Sequence, residues 1–479
     1  MRVVLLSTYE LGHQPLGLAR PAAQLIQDQH EVVCADLSVE KLPEEALHGA
    51  ALVGISVPMH TATRLGVRLA ERVRALNPHA HVCFYGLYAS LNAESLLGRY
   101  ADSVIGGEYE TPLRDLVRAL AAAAGQPSLV TTPGPVGVAT AHGDIGSPFL
   151  GRQVFALPRR DLLPALDRYA HLDDGHGRHK LAGYVEASRG CAHRCLHCPI
   201  TPVYSGRLRI VQADVVIEDV RQLVRLGAEH ITFGDPDFFN GVKHSLRIVE
   251  ALHQEYPGLT YDATIKVEHL LEHRALLSRL KDTGCVFIVS AVEAVDDTIL
   301  GHLEKGHTAA HVEAALDLVT AAGLVMRPTF VAFTPWTTLE GYRELLAFIE
   351  RRRLINHVEP VQLAIRLLVP RGSSLIGTTA MDAYLGEFDE TTLTYTWRHP
   401  DPRMDELQVG MAGLVEEAAR AGDDAVGTFS RIKSLAKTQS SRFNPQRGVV
   451  ERPRNALRAS RVRPSLASGV PRLTEPWFC

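Results

Sequence analysis

Gly190-Cys191-Ala192-His193-Arg194-Cys195-Leu196-His197-Cys198-Pro199 is the stretch from which the rest of the chain is read. Three cysteines at C-x3-C-x2-C follow an apolar-alternating run, Tyr184-Val185-Glu186-Ala187, and a Ser188-Arg189-Gly190 turn. Three thiolates on one short loop can hold three corners of a cubane. A [4Fe–4S] cluster needs four ligands, so one iron is left for a ligand that is not cysteine. Zinc is the weaker reading. A structural zinc takes four Cys or His ligands; His193 or His197 could supply one, but there is no second Cys-x2-Cys knuckle. Cys34, Cys83 and Cys285 sit in apolar strand or helix-end contexts and read as small core residues.

Outward from the cysteines, βα alternation runs from about 181 to about 376. Strands are expected at 183–187, 230–233, 260–264, 286–290, 325–333 and 360–368. Helices are expected between them, for example at 213–226, 243–255, 268–283, 308–322 and 339–351. Six βα units without a seventh and eighth imply a partial, open (β/α)6 TIM barrel. Barrel chemistry sits on loops at the C-terminal ends of the strands. The three cysteines fall just after the first of these strands.

Upstream, short apolar runs at 3–6, 31–35, 52–56, 82–85 and 103–105 alternate with helical patterns at 17–27, 61–76, 94–99 and from 112. Such alternation implies an α/β domain with a doubly wound, Rossmann-like parallel sheet. Its ligands are expected outside the carboxyl ends of the strands, on loops 7–15, 56–60, 86–92 and 106–111. Residues 126–180, rich in Gly, Pro and small side chains, read as a linker lying over a neighbouring domain. Helices at 405–421 and 424–436 mark a small C-terminal region, followed by an Arg-, Pro- and Ser-rich tail over 440–476. The division is 1–125, 126–180, 181–385 and 386–479.

The chain has 479 residues, a formal net charge of -4, 46% hydrophobic and 22% charged residues, the profile of a soluble globular protein. Nothing in that balance points to nucleic acid. No apolar run approaches ~18 residues, so no membrane span is expected. Seven cysteines, three of them within eight residues, favour a reducing cytoplasm and a metal site over disulfides.

The cysteine spacing at a strand end, followed by a barrel pattern, resembles the radical S-adenosylmethionine (SAM) superfamily over about 200 residues. The resemblance implies an enzyme in which the open iron chelates the amino and carboxylate groups of SAM, and one electron cleaves a C–S bond homolytically. It also implies a small-molecule substrate and a flavodoxin- or ferredoxin-type electron donor. Further positions match. Asp235 and Asp237, in Phe233-Gly234-Asp235-Pro236-Asp237, stand where relatives carry an acidic segment near the methionyl amino group; a helix cap or Asx turn is the alternative. Lys266 stands where relatives have Arg and would meet the SAM carboxylate, or else is a solvated lysine. Glu293, in Ser290-Ala291-Val292-Glu293-Ala294, would bond the ribose hydroxyls. Leu303-Glu304-Lys305-Gly306-His307-Thr308 matches a family loop. Arg327 and the run 330–335 fall where relatives line the adenosyl site, although Pro335-Trp336-Thr337-Thr338 replaces the usual Gly-x-Pro-Gly-Glu-Thr. Leu157-Pro158-Arg159-Arg160-Asp161-Leu162-Leu163-Pro164 resembles the segment that enters such barrels.

Two further resemblances concern the ends. Val53-Gly54-Ile55-Ser56-Val57, Phe84-Tyr85-Gly86-Leu87-Tyr88-Ala89 and Ile105-Gly106-Gly107-Glu108-Tyr109-Glu110 look like the cobalamin-binding domain that precedes many radical SAM domains. Tyr85-Gly86 stands where that family has Gly-Gly, and the Asp-x-His-x-x-Gly motif is absent. Cobalamin and an empty flavodoxin-like domain are both open. His13 and His60 lie on loops that would touch such a ligand. Trp477-Phe478-Cys479 resembles a radical SAM subgroup whose tail reads Cys, then Cys or selenocysteine, then Ala-Glu-Pro. That resemblance implies a continuation through an in-frame UGA codon, a catalytic Cys479 that binds a thiophilic centre, and alkyl transfer from SAM to trivalent arsenic. The alternative is a terminus that merely ends in Cys.

Overall fold

The computed structural model describes residues 1–123, 135–141, 147–438 and 469–474. The first sheet is built from β1 (Arg2–Ser7), β2 (Glu31–Asp36), β3 (Leu52–Ser56), β4 (His81–Tyr85), β5 (Ser103–Ile105) and β6 (Val138–Thr140), in the order β2-β1-β3-β4-β5-β6. The first five strands are parallel and β6 is antiparallel. Helices cover both faces, so successive side chains enter opposite cores. Val4, Leu6, Val53, Ile55 and Phe84 pack in one core, and Val3, Leu5, Leu52, Cys83 and Tyr85 in the other. The direction of winding switches between β1 and β3, which makes their carboxyl ends the expected ligand crevice.

The second unit begins with β7 (His171–Asp173) and β8 (His179–Val185). Short β9 (Ser188–Gly190) and β10 (Leu208–Ile210) then pair antiparallel around the cysteines. There follow β11 (His230–Phe233), β12 (Thr260–Thr264), β13 (Cys285–Glu293), β14 (Val325–Phe330), the hairpin β15 (Leu385–Asp389)–β16 (Thr394–Trp397), and β17 (Arg472–Leu473). The sheet order is β14-β13-β12-β11-β8-β7-β17, with β8 and β11 to β14 parallel. These five strands curl as a half barrel, with Ile231, Phe233, Ala263, Ile288 and Met326 in the core beneath the outer helices. The α/β class and the two sheets agree with the sequence reading. No helix among the described residues is long and apolar enough to cross a membrane.

Several local expectations are corrected. The sixth barrel strand, expected at 360–368, is a 3-10 helix over Pro360–Ala364 and a single parallel bridge, Phe333 to Arg366. Pro360 has no N–H to give a ladder, and side chains take over: Gln362 Oε1 accepts from the Phe330 amide (3.1 Å), and Tyr342 donates to the Leu363 carbonyl (2.9 Å). The helix expected at 268–283 divides into Val267–Glu272, Arg274–Leu276 and Leu277–Asp282. Ser188-Arg189-Gly190 is a strand rather than a turn. Within 126–180, β6 adds to the first sheet and β7 to the second. The C-terminal helices are Pro402–Ala421, capped by the Asp401 carboxylate, and Ala425–Thr438. Most of the 440–476 tail and Cys479 lie outside the described residues. Within the tail, Arg472 and Leu473 pair with Asp173 and Leu172.

Candidate functional site

β9 and β10 close a hairpin whose long excursion carries the cysteines. Gly190 ends β9 at φ +74°, and a Cβ there would stand 2.3 Å from the Arg207 carbonyl oxygen. Only glycine lets the chain turn into the loop while β10 returns alongside. The loop is then tied down. The Cys195 carbonyl accepts from the Cys198 amide (3.2 Å) and the Thr201 hydroxyl (2.8 Å), and the Leu196 amide donates to Leu303 O (3.0 Å). Asn240 Nδ2 donates to Cys191 Sγ (3.4 Å) while its Oδ1 accepts from the Ala192 amide (3.3 Å). Burial pushes the Cys198 thiol up to about 12 and raises that of Cys191.

The loop histidines turn away from the sulfurs toward carboxylates. His193 Nε2 lies 3.2 Å from Asp237 Oδ2, and His197 Nε2 lies 3.2 Å from Glu293 Oε1. Three soft donors on one loop, with both neighbouring imidazoles engaged elsewhere, fit a [4Fe–4S] cluster with one iron open.

Acidic and basic groups from successive strand ends surround this loop. Asp237, after β11, also lies 2.7 Å from His269 Nδ1. Burial pushes its carboxyl up, but His193 and His269 outweigh it and bring it to about 2. Lys266, after β12, contacts Glu268 and places its Nζ 3.2 Å from His193 Nδ1. Glu293 ends β13 at φ +68°, beside a register shift against β14. A non-glycine residue held in that region stores strain and re-aims its side chain. Its carboxylate is 3.3 Å from Lys305 Nζ; burial raises it, and Lys305 and His197 draw it down to about 2. His307, bonded to the Val292 carbonyl, is lowered to about 4 by burial. A cavity of about 290 Å³ opens behind Glu293, lined also by Ala294, Ile299, Val331, Ala332 and Thr337. His193, Asp237 and His269 present ligand atoms within 4.8 Å of one another. The Lys266 ammonium beside His193 opposes a dication there, and the three read as a hydrogen-bonded anchor.

Asp235 and Arg327 stand elsewhere than expected. Both Asp235 oxygens are turned back into the strand layer, one on the Ala187 amide (2.9 Å) and one on the Ser188 hydroxyl. That carboxyl braces the exit of β8 and does not face the mouth. Arg327 lies three residues below Phe330, the partner of Glu293. It pairs with Glu359 (2.7 Å) and donates to Asn356 O (3.4 Å) and Pro471 O (3.3 Å), tying β14 to the β17 segment at the barrel floor. Asn240, His269 and Lys305 join the site without having been singled out as site residues. Lys305 was within reach, in the matched loop; Asn240 and His269 carry no local signal.

The carboxyl edge of the first sheet tests the fit of a corrin. Ser7, Ser56, Tyr85 and Glu108 are 0%, 2%, 0% and 0% exposed, covered by the protein's own side chains. The Tyr85 ring lies against β3, so that a Cβ on Gly54 would stand 3.0 Å from it, and its hydroxyl donates to Gly17 O (2.8 Å). A Cβ on Gly17 would stand 2.4 Å from Ser56 Oγ. Phe149 pairs across the β5 exit, its carbonyl accepting from Glu108 N (2.8 Å) and its amide donating to Gly106 O (3.1 Å). His13 is stacked on Tyr184 at 4.7 Å, and His60 Nε2 meets Thr392 O at 2.6 Å. These residues do not fit a corrin with its nucleotide arm.

Residues 185–348 match the Radical SAM superfamily model, so this part of the chain is a radical SAM domain. Among curated proteins, the ribosomal protein uS12 methylthiotransferase RimO of Caldanaerobacter subterraneus subsp. tengcongensis is 23% identical over 184 residues, 36% of this chain and 41% of that protein. The tRNA-2-methylthio-N(6)-dimethylallyladenosine synthase of Halorhodospira halophila is 25% identical over 202 residues, 39% and 42%. The chain thus spans less than half the length of these relatives. Among solved structures, the cobalamin-dependent SAM radical enzyme OxsB superposes at TM-score 0.68 and 15% identity, covering 91% of this chain and 71% of that one. The radical SAM methyltransferase TsrM from Kitasatospora setae gives 0.58 and 19%, with 74% and 71% covered. At these identities the likeness concerns the fold.

Proposed function

We propose that this protein is a radical SAM enzyme that alkylates or rearranges a small substrate. The observation that carries the reading is the set of Asp237, Lys266 and Glu293 from successive strand ends, with Lys305 paired to Glu293, around the loop of Cys191, Cys195 and Cys198. Cys191, Cys195 and Cys198 would hold a [4Fe–4S] cluster, which would supply the one-electron chemistry for homolytic cleavage of a SAM C–S bond. The chain's own groups do the rest. The three thiolates hold the metal. Asp237, kept ionised by two histidines, offers an acceptor to an amino group. Lys266 offers a cation to a carboxylate. Glu293 offers acceptors to vicinal hydroxyls at the rim of the 290 Å³ cavity. A flavodoxin or ferredoxin is the proposed electron source.

The test is anaerobic reconstitution with iron and sulfide, followed by reduction with SAM present and mass analysis of the fragments. 5′-Deoxyadenosine or methylthioadenosine is expected from the wild type, and neither from Cys195→Ala. Turnover by that variant, or none by reconstituted wild type, overturns the reading. Methylthioadenosine would identify transfer of a 3-amino-3-carboxypropyl group.

The finer proposal is that the acceptor is trivalent arsenic, bound by a thiol at Cys479. Its support is the Trp477-Phe478-Cys479 resemblance alone. Arsenite added to the reaction, with detection of carbon-bound arsenic, tests it; Cys479→Ala is expected to lose that product while still cleaving SAM. A second reading, cobalamin-dependent methyl transfer to an unactivated carbon of a natural-product intermediate, is favoured by the likeness to OxsB and TsrM. The filled carboxyl edge opposes it.

A further inference from the structure

The buried edge of the first sheet is joined to the cysteine loop by one ion network. Arg189, two residues before Cys191, is 6% exposed. Its guanidinium meets Glu110 (2.7 Å), Glu186 (2.9 Å) and Glu108 (3.4 Å), donates to the Tyr109 hydroxyl (3.1 Å), and lies over the Tyr109 and Phe155 rings. Tyr204, six residues after Cys198, donates to the other Glu108 oxygen (2.8 Å). Gln153 donates to both carboxylates, at 2.8 Å to Glu108 and 2.9 Å to Glu110. Arg20, from the first helix of the N-terminal domain, reaches across to Glu186 (2.7 Å). Glu108 and Glu110 follow β5, on the loop that would face a corrin. They are instead spent on the two ends of the cysteine loop.

We propose that the carboxyl edge of the N-terminal sheet is not a corrin site but a scaffold that fixes both flanks of the cysteine loop, with Glu108 and Glu110 as positioning residues. A corrin needs the carboxyl edge of the sheet open, and there Ser56 abuts Gly17 beside β1 and β3, Tyr85 lies against Gly54, and Phe149 pairs across the β5 exit. The loop needs fixed ends, because an open iron must meet a bound ligand at one orientation. A desolvated Arg held by three carboxylates is stiff, and charge-assisted bonds of this kind are about twice as strong as neutral ones. β9 and the helix Ile200–Tyr204 are short and cannot supply that rigidity alone.

The inference rests on the cluster reading above, so iron content of the reconstituted wild type is the control: no cluster in the wild type removes both. The full-length holoprotein is incubated with hydroxocobalamin and desalted, and is expected to retain no stoichiometric corrin by absorbance. Retention of one corrin per chain overturns the proposal. In parallel, Glu110→Gln and the milder Tyr204→Phe are examined by EPR of the reduced cluster with increasing SAM. Both are expected to shift the cluster signal, and Glu110→Gln to raise the SAM concentration for the half-maximal change by about tenfold. Glu110→Asp, which keeps the charge, is expected to recover part of that loss. Wild-type spectra and an unchanged SAM titration in folded Glu110→Gln and Tyr204→Phe overturn the positioning role.

Discussion

Asp235 is a carboxylic acid held where a charge is costly. Burial pushes its carboxyl up to about 7, against the bonds it accepts from Ser188 and the Ala187 amide. In the unfolded chain the same group titrates near 3.8. Between those values the native state holds one proton more than the unfolded state, so this residue lowers stability as pH rises from about 4 to about 7. Asp235→Asn, which keeps an acceptor for the Ala187 amide and a donor for the Ser188 hydroxyl, is expected to flatten that slope. Thermal melts of the anaerobic protein across the window measure it; parallel slopes for variant and wild type would contradict the assignment. At Gly190 the constraint is steric. A left-handed non-glycine residue costs ~1–2 kcal/mol, and its Cβ would stand inside contact distance of Arg207 O. Gly190→Ala is expected to lower iron incorporation, read as iron per chain after reconstitution, and full occupancy would refute this.

Among elements, the segment entering the barrel is locked by one ion pair. Arg160 donates to Asp219 through Nε (2.8 Å) and Nη2 (2.9 Å), to Tyr184 O (2.6 Å) and to Gln14 (3.3 Å), so four segments meet on one guanidinium. Both charges are almost fully buried. Asp219→Ala leaves an uncompensated buried cation and is expected to cost about 3–5 kcal/mol. The adjacent Arg159–Asp161 pair is largely solvent-exposed, and Asp161→Ala is expected to cost under ~1 kcal/mol. Urea unfolding of the two variants separates them; equal losses would mean that burial is not what gives the first pair its weight. The sixth barrel strand shows how an element is lost. The run 360–368 is apolar enough for a strand, but Pro360 removes a donor and Gln362 and Tyr342 satisfy backbone groups that a ladder would have used.

Over the whole molecule, the N-terminal domain and the half barrel are joined by buried ion pairs, Arg20 with Glu186 and Arg189 with Glu108 and Glu110, and by Arg160 of the connecting segment, which pairs with Asp219 and hydrogen-bonds Gln14. Such contacts are weakly screened by salt. Residues 1–123 and the barrel are therefore expected to unfold in one transition by calorimetry, at low and at high ionic strength alike. Two resolved transitions would show that the interface couples them weakly.

Much of this architecture was legible without coordinates. Strand and helix periodicities are local, and burial of parallel strands on both faces writes itself as short apolar runs, so both sheets and the place of the cysteine loop after the first barrel strand could be read directly. That the three thiols, Asp237, Lys266 and Glu293 stand at the ends of strands was legible because distance from a strand end is also local. The direction a side chain takes was not. Asp235 and Asp237 are two residues apart, yet one braces the strand layer and the other faces the loop, because Ala187 and Ser188 claim the first and two histidines the second. Arg327 belongs to the floor of the barrel, because Glu359 and Pro471 reach it there. From the sequence alone came a doubly wound sheet followed by a partial (β/α)6 barrel, with a cysteine spacing that resembles the radical SAM superfamily. Only the tertiary structure decided that Tyr85 packs against Gly54, that Phe149 pairs across the β5 exit and that Glu108 and Glu110 turn to Arg189, since burial and partner choice between groups some 80 residues apart leave no trace in a local pattern.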